Sequence, residues 1–180
     1  MKKLMVVLAP GFEEVEALSV VDVLRRANVT CDMISIAGEY VTGSHNIIIK
    51  TDFPIDTINE DNYYGLVLPG GMPGAENLKN NAPVIDIIKK FFREEKLICA
   101  ICASPMVLGE ADVVKDKDIT CYPGFEQYLN GANIKNELVV TSGNIITGKG
   151  PAAAFDFAFE ILESLGLKDE VENLKSSMMF

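Results

Sequence analysis

Short apolar runs alternate along the chain with longer stretches in which apolar residues recur every three or four positions. The first pattern is typical of strands buried on both faces of a sheet, and the second of helices that bury one face. The runs predict strands at residues 4–9, 29–36, 66–68, 97–101, 119–122, 138–141 and 144–147. The periodic stretches predict helices at residues 14–27, 83–95, 104–109 and 151–165, and residues 40–50 predict a hairpin around Gly43 and Ser44.

This order of elements predicts a single α/β domain over residues 1–180, with a mostly parallel central sheet covered by helices on both faces. Ligands of such sheets bind outside the carboxyl ends of the strands. Those ends fall at residues 10–11, 69–71, 102 and 148–150, which contain prolines, glycines and a cysteine. We therefore expect the functional site at this edge of the sheet.

Charge and composition argue against several classes of function. The formal net charge is −10 and the pI is about 4.6, so we expect neither nucleic-acid binding nor attraction to an anionic membrane. No apolar run approaches the roughly 18 residues of a membrane span, and the first run is too short for a signal peptide, so we expect a cytoplasmic protein. Four cysteines and one histidine suit neither a disulfide scaffold nor a zinc site, and no metal is expected.

Cys102 is the first candidate for chemistry. It lies where a predicted strand turns at once into a predicted helix, next to the small residues Ala100, Ala103 and Ser104, which tolerate a strained turn. The helix N-terminus is expected to lower the pKa of its thiol. The alternative is an inert buried cysteine. A redox pair with Cys99 is disfavoured, because residues three apart in a strand point to opposite faces.

The other cysteines carry weaker expectations. Cys31 and Cys99 are predicted to lie in the core. Cys121 falls on a short predicted strand, and its role as a resolving thiol for Cys102 is left open.

Glu16 is the second candidate, because it continues the stripe of Val20, Val23 and Ala27 that should face the sheet. Burial of a carboxyl there would raise its pKa and keep it protonated as a hydrogen-bond donor to a thiolate. The alternative is a carboxylate that caps the preceding turn. The neighbouring Glu13 and Glu14 suit the helix dipole and are expected to be solvated.

Two glycine-rich stretches have different interpretations. Gly70 and Gly71 follow a strand directly, and their N–H groups, with that of Ala103, suit an oxyanion hole; the alternative is a plain turn. Residues 143–150 resemble a phosphate-binding loop in sequence, but Gly150 stands in place of its Ser/Thr and residues 144–147 are predicted to be a strand, so nucleotide binding is not expected. His45, the only histidine, is expected on the surface and not in a Cys–His pair.

Several of these features belong to six ordered blocks that span most of the chain. The blocks are residues 9–16 (APGFEEVE), 21–27 (VDVLRRA), 66–71 (LVLPGG), 75–78 (AENL), 100–105 (AICASP) and 148–151 (GKGP). Together they resemble the ThiJ/PfpI family, most closely its branch of Parkinson-associated, glyoxalase III-like deglycases. The resemblance implies a flavodoxin-like three-layer sandwich with a nucleophile elbow. The implied positions are Cys102 for the nucleophile, Glu16 for its protonated partner, Gly71 and Ala103 for the oxyanion hole, and Gly70, Tyr122 and Pro151 for the substrate pocket.

The resemblance also implies a function. Similar members are described as glyoxalases that need no glutathione, as deglycases and as oxidative-stress sensors, and some carry an older label for thiazole monophosphate biosynthesis. We therefore expect a cysteine-dependent enzyme that acts on methylglyoxal-type α-oxoaldehydes or their adducts, as a homodimer and without a cofactor. The alternative is a redox sensor or chaperone-like protein that is oxidised at Cys102 and has no catalytic turnover.

Three departures from the family pattern refine this expectation. Ala103 stands where the peptidase branch has a histidine, so peptidase activity is not expected. Tyr122 precedes Pro123 where the deglycase branch often has a histidine, which removes a base near the site. Lys149 replaces an arginine and loses bidentate hydrogen bonding.

Overall fold

The computed structural model describes residues 2–180, which form eleven strands and six α helices. The strands are β1 Lys3–Leu8, β2 Thr30–Ser35, β3 Tyr40–Thr42, β4 Ile48–Lys50, β5 Phe53–Pro54, β6 Gly65–Leu68, β7 Leu97–Ile101, β8 Asp118–Ile119, β9 Asn133–Ile134, β10 Val139–Ser142 and β11 Ile145–Gly148. The helices are α1 Glu14–Arg26, α2 Gly74–Lys79, α3 Ala82–Arg93, α4 Pro105–Glu110, α5 Ala154–Ser164 and α6 Lys168–Ser177. Across these residues, no helix has both the length and the apolar character that a bilayer crossing requires.

Seven of the strands form the central sheet, in the order β10–β11–β7–β6–β1–β2–β5. All neighbours in it are parallel except β10 and β11, which pair antiparallel at one edge. Parallel neighbours need long crossovers, which helices provide except between β2 and β5, where the β3–β4 hairpin lies. The predicted α/β class with a mostly parallel sheet is confirmed.

The sheet separates two hydrophobic clusters. Alternate residues of a strand point to opposite faces, so Leu4, Val6 and Leu8 contact one cluster while Met5 and Val7 contact the other. The first cluster is closed by α1, α5 and α6, and the second by α2, α3 and α4. This arrangement is the expected three-layer sandwich.

The structure differs from the sequence-based elements in a few places. The hairpin at residues 40–50 is confirmed as the antiparallel pair of β3 and β4. The strand predicted at residues 119–122 ends at Ile119 and pairs with β9 in a small separate sheet. It ends there because Thr120 directs its N–H to the Thr147 hydroxyl and its own hydroxyl to the Glu137 carbonyl. The helix predicted from Pro151 begins as a short 3₁₀ turn before α5, and β5, β9, α2 and α6 were not predicted.

Candidate active site

Cys102 is the first residue after β7 and has a φ of +65°, in the left-handed region that non-glycine residues rarely occupy. Its N–H donates to the Gly148 carbonyl at 2.9 Å, and its carbonyl accepts the Tyr122 N–H at 2.8 Å. These bonds to two neighbouring segments hold the strained backbone in place. The geometry is that of a nucleophile elbow at the carboxyl edge of the sheet.

Two further bonds join the loop after β6 to its neighbours, one to the elbow and one to the start of α1. The Ser104 hydroxyl is fully buried and donates to the Pro69 carbonyl. The Glu13 N–H, at the start of α1, donates to the Gly70 carbonyl at 2.9 Å. The elbow, this loop and the start of α1 therefore meet at one point.

Glu16 lies at that point and is completely buried, as are Val20 and Val23 on the same stripe of α1. One carboxyl oxygen, Oε2, accepts the Gly70 N–H at 2.7 Å. The other, Oε1, has no hydrogen-bond partner among residues 2–180. Burial raises the pKa of Glu16 to about 7, although the hydrogen bond from Gly70 opposes the shift. The carboxyl therefore keeps its proton up to near-neutral pH. Its hydrogen bond is to Gly70 in the loop after β6, which disfavours the alternative that it caps the turn before α1.

Gly70 and Gly71 are required for different reasons. A Cβ on Gly70 would lie 2.6 Å from the Cys102 Cβ and 2.7 Å from Glu16 Oε2, so those two side chains approach each other across the space that glycine leaves. Gly71 has a φ of +87°, and a Cβ there would meet the Glu13 nitrogen at 2.4 Å. Because Gly70 donates its N–H to Glu16, only the N–H of Gly71 is left to face the sulfur.

The pKa of the Cys102 thiol is raised to about 12, first by burial and then by an ionised Glu16 beside it. The N–H groups of Ala103 and Gly71 bond to the sulfur and oppose that rise. The expected lowering of the thiol pKa by the helix N-terminus is therefore wrong, because burial is the largest influence on it and raises it. When Glu16 holds its proton, the repulsion disappears, so the thiolate and the neutral carboxyl form one coupled pair.

The remaining cysteines are buried, whereas Cys102 is partly exposed. All four are free thiols. Cys99 and Cys102 pack against the same cluster, because Cys102 has left the strand at the elbow, so the opposite-faces argument against their pairing does not hold. Cys121 belongs to the cluster on the other face of the sheet, and this packing disfavours a resolving role.

Tyr122 and Pro151 border a small groove beside the elbow. The Tyr122 ring lies over Gly150, where an added Cβ would be 3.3 Å from the ring. Pro151 follows at the start of the 3₁₀ turn that precedes α5. The groove has a volume of about 200 Å³.

His45 makes contacts that the sequence analysis missed. Its Nδ1 lies 2.9 Å from Glu14 Oε2, and its backbone N–H donates to Glu14 Oε1 at 2.8 Å. Glu14 is buried, so the expectation that it is solvated is wrong, while the His45 ring is exposed as expected. Burial opposes the ionisation of Glu14, but the hydrogen bonds from His45 and Ile47 lower its pKa to about 2. The hydrogen bond to Glu14 raises the pKa of His45.

Three side chains at this junction are of the types that bind metal ions. Glu13, Glu14 and His45 each place one potential ligand atom within 4.8 Å of the others. Hydrogen bonds from His45 and Ser44 already satisfy the carboxylates of this group. The cluster therefore holds together through its own hydrogen bonds.

A family model matches most of the chain, including the segments that carry the elbow cysteine, the buried glutamate and the glycine loop. The model describes the DJ-1/PfpI family, also called ThiJ/PfpI, and matches residues 2–164. The chain belongs to the DJ-1/PfpI family.

Relatives within the DJ-1/PfpI family cover nearly the whole chain. Protein dj-1beta of Drosophila melanogaster is 34% identical over 181 residues, covering 99% of this chain and 97% of that protein. The Parkinson disease protein 7 homolog of Danio rerio is 35% identical over 169 residues, or 91% and 89% of the two chains. The structure of oxidized Toxoplasma gondii DJ-1 superposes with a TM-score of 0.95 at 31% identity and covers 100% of this chain and 99% of its own. The family and the flavodoxin-like fold expected from the sequence are confirmed.

Proposed function

We propose that the protein is a cysteine-dependent glyoxalase, or a deglycase of glyoxal adducts, whose substrates are small α-oxoaldehydes. The observation that carries the proposal is the pair of Cys102 and Glu16. A partly exposed thiol faces two backbone N–H groups and a buried carboxyl whose pKa is about 7. A pair of this kind supplies a nucleophile and a proton carrier at neutral pH.

In the first step, the Cys102 sulfur attacks the aldehyde carbon and forms a C–S bond, while the carbonyl electron pair moves to oxygen. The N–H groups of Gly71 and Ala103 stabilise the developing oxyanion, which takes the proton of the neutral Glu16 carboxyl to give a hemithioacetal and leaves Glu16 ionised. The Gly70 N–H takes no part in this step, because it is bound to Glu16.

Isomerisation then moves a proton between neighbouring carbons. Glu16 in its ionised form accepts the proton from the hemithioacetal carbon, and an enediolate forms. The same carboxyl returns the proton to the adjacent carbon while the hydroxyl proton moves to the neighbouring oxygen, which leaves a thioester of the 2-hydroxy acid. Water hydrolyses the thioester and releases the acid and the thiol. The oxidation of one carbon balances the reduction of the other, so this reaction requires no external oxidant and no cofactor.

The test is conversion of methylglyoxal to lactate by purified protein without glutathione or added metal. We expect Cys102→Ser to lower the rate by roughly 10³-fold or more, because a hydroxyl without a strong base is a poor nucleophile. Cys121→Ser is the matched control, since Cys121 packs on the opposite face of the sheet, and it should keep most of the activity. Lactate formation that persists in Cys102→Ser would exclude the mechanism.

A second candidate function is redox sensing through Cys102. It is favoured by the site's lack of a histidine base, since His45, the only histidine, is bonded to Glu14. One relative's structure is described as oxidized Toxoplasma gondii DJ-1. Here the Cys102 thiolate attacks a peroxide oxygen, the O–O bond breaks and hydroxide leaves; a second peroxide gives the sulfinate. Ready sulfinate formation without any lactate would favour this candidate over the enzyme.

We also propose that the protein is a cytoplasmic homodimer. Four free thiols suit a reducing compartment. The surface near the start of α1 exposes Val15, Ile47 and Ile48, apolar side chains that a second copy would cover. Peptidase activity is not proposed, because Ala103 follows the nucleophile and supplies no side-chain base.

A further inference from the structure

The apolar groove beside the elbow has no part in the chemistry of the aldehyde carbon described above. It is bordered by Tyr122, Leu138, Gly150, Pro151, Ala152 and Ala153. The only charged residue at the groove is Lys149, whose ammonium group donates to the Asn136 side chain. The surface that the groove offers to a small molecule is therefore apolar.

Backbone hydrogen bonds connect this groove to the nucleophile. The Tyr122 N–H donates to the Cys102 carbonyl, and the Cys102 N–H donates to Gly148, two residues before Gly150. Ala153, in the floor of the groove, is buried in the same hydrophobic cluster against which Cys102 packs. The groove and the thiol thus lie on the same face of the sheet, in adjoining segments.

The size of the groove indicates what it accommodates. Its volume is about 200 Å³. An apolar cavity of roughly 150 Å³ is enough to bind benzene in another protein. A methyl group would leave most of such a groove empty, whereas an aromatic ring or a branched alkyl group would fill it. A charged substituent would lose its hydration there and gain no ionic partner.

We propose that this groove is the subsite for the substituent of the oxoaldehyde, and that it selects aryl and bulky alkyl α-oxoaldehydes over methylglyoxal. The proposal rests on the proposed function for the identity of the reacting group, but not for the existence of the subsite. Tyr122 and Leu138 form walls of the subsite, and Pro151 lies at its border. Tyr122 is then a specificity residue for the substituent.

The experiment measures selectivity at Cys102 without requiring turnover. Phenacyl bromide and bromoacetone present the same reactive carbon and differ only in a phenyl or methyl substituent. Each alkylates a thiolate by forming a C–S bond and releasing bromide. The rate of Cys102 labelling by each reagent, followed by mass spectrometry, is divided by its rate with free cysteine. We expect the phenacyl reagent to be favoured roughly tenfold after this correction.

Leu138→Ser is the test variant, because Leu138 is exposed and its replacement should leave the fold intact. It should reduce the corrected phenyl-to-methyl ratio roughly fivefold, through lost apolar contact. Ile134→Ser is the matched control, since Ile134 is also exposed but does not line the groove, and it should leave the ratio unchanged.

Three results would overturn the subsite. The first is a corrected ratio near one in the wild type. The second is a ratio that Leu138→Ser does not change with its molar mass also unchanged. The third is an unchanged ratio together with a changed molar mass, which would assign the groove to a second copy of the chain. A ratio that behaves as expected in a protein that makes neither lactate from methylglyoxal nor mandelate from phenylglyoxal would support the subsite and refute the glyoxalase proposal.

Discussion

At the scale of single residues, Gly70 sets the distance between the two reactive side chains. Its missing Cβ leaves the space in which Glu16 Oε2 and the Cys102 Cβ face each other. Its N–H holds one carboxyl oxygen and leaves Oε1 without a partner among residues 2–180. An unpaired buried oxygen is costly, and a proton shared with a thiolate is one way to satisfy it.

Replacing Glu16 by glutamine should slow alkylation of Cys102 in a pH-dependent way. Below about pH 7 the wild-type carboxyl is protonated and is a stronger donor to a thiolate than an amide, so we expect the variant to react several-fold more slowly. Above that pH the wild-type carboxyl ionises and opposes the thiolate, whereas the amide stays neutral. The advantage of the wild type should therefore shrink as pH rises. Rates of iodoacetamide labelling across this range measure the effect.

Glu13→Gln is the control for this prediction. The charge of Glu13 raises the pKa of Glu16. Its removal should therefore lower the pH at which the advantage over Glu16→Gln shrinks, without changing the labelling rate at low pH. Identical pH profiles for the wild type and Glu16→Gln would mean that Glu16 has only a structural role.

At the scale of elements, a contact between α1 and the β3–β4 hairpin flanks the site. Glu14, in the first turn of α1, accepts N–H groups from His45 and Ile47 in the hairpin. The Gly11 N–H donates to the Thr42 carbonyl, close to the same junction. These bonds fix the start of α1, and with it the position of Glu16 two residues later.

Glu14→Gln should lower the stability of the protein most strongly between about pH 4.5 and 6.5. The pKa of Glu14 is lowered from 4.5 to about 2, so its contribution is present above 4.5 and is lost as pH falls toward 2. The pKa of His45 is raised, so its contribution is complete below its unfolded value near 6.5 and is lost as pH rises through the folded one.

Urea unfolding of wild type and variant at several pH values measures this difference. We expect about 1.5–3 kcal/mol at its maximum, the range for hydrogen bonds to a charged group. His45→Gln should weaken the low-pH part of the profile, because only the backbone N–H donors of residues 45 and 47 remain, and should lose the part above pH 6.5 that histidine adds. A difference that does not change between pH 3 and 8 would contradict the ion pair.

The sequence predicted the elements that the sheet buries and missed contacts between distant segments. The apolar runs of β1 and β7 and the stripe of α1 carry a local periodic signal, and they placed Cys102 and Glu16 at the correct edge. The pairing of Glu14 with His45 joins residues 31 positions apart and has no local signal. The N–H of Gly70 bonds to Glu16 and that of Gly71 to the Cys102 sulfur. This difference depends on backbone angles, which cannot be predicted from the sequence of two consecutive glycines.

At the scale of the whole molecule, net charge and exposed apolar surface have opposite effects on the association of two chains. Each chain carries a formal charge of −10, which disfavours association through repulsion. Val15, Ile47 and Ile48 are nevertheless exposed near the junction of α1 and the hairpin. Such a surface is stabilised when a second copy covers it, and salt should help by screening the repulsion.

Substituting Ile48 by glutamate should convert the proposed dimer to a monomer. Ile48 is 65% exposed, so the chain should still fold, while a carboxylate in the covered surface would be desolvated and would add to the repulsion. Light scattering should give twice the 19.6 kDa chain mass for the wild type, more completely at higher salt, and the single chain mass for Ile48→Glu. Ile134→Glu is the matched control, because Ile134 is 44% exposed and lies in β9, away from this surface, and it should remain dimeric. A wild type that stays monomeric at every salt concentration, or equal dissociation by both variants, would refute an interface at the α1–hairpin junction.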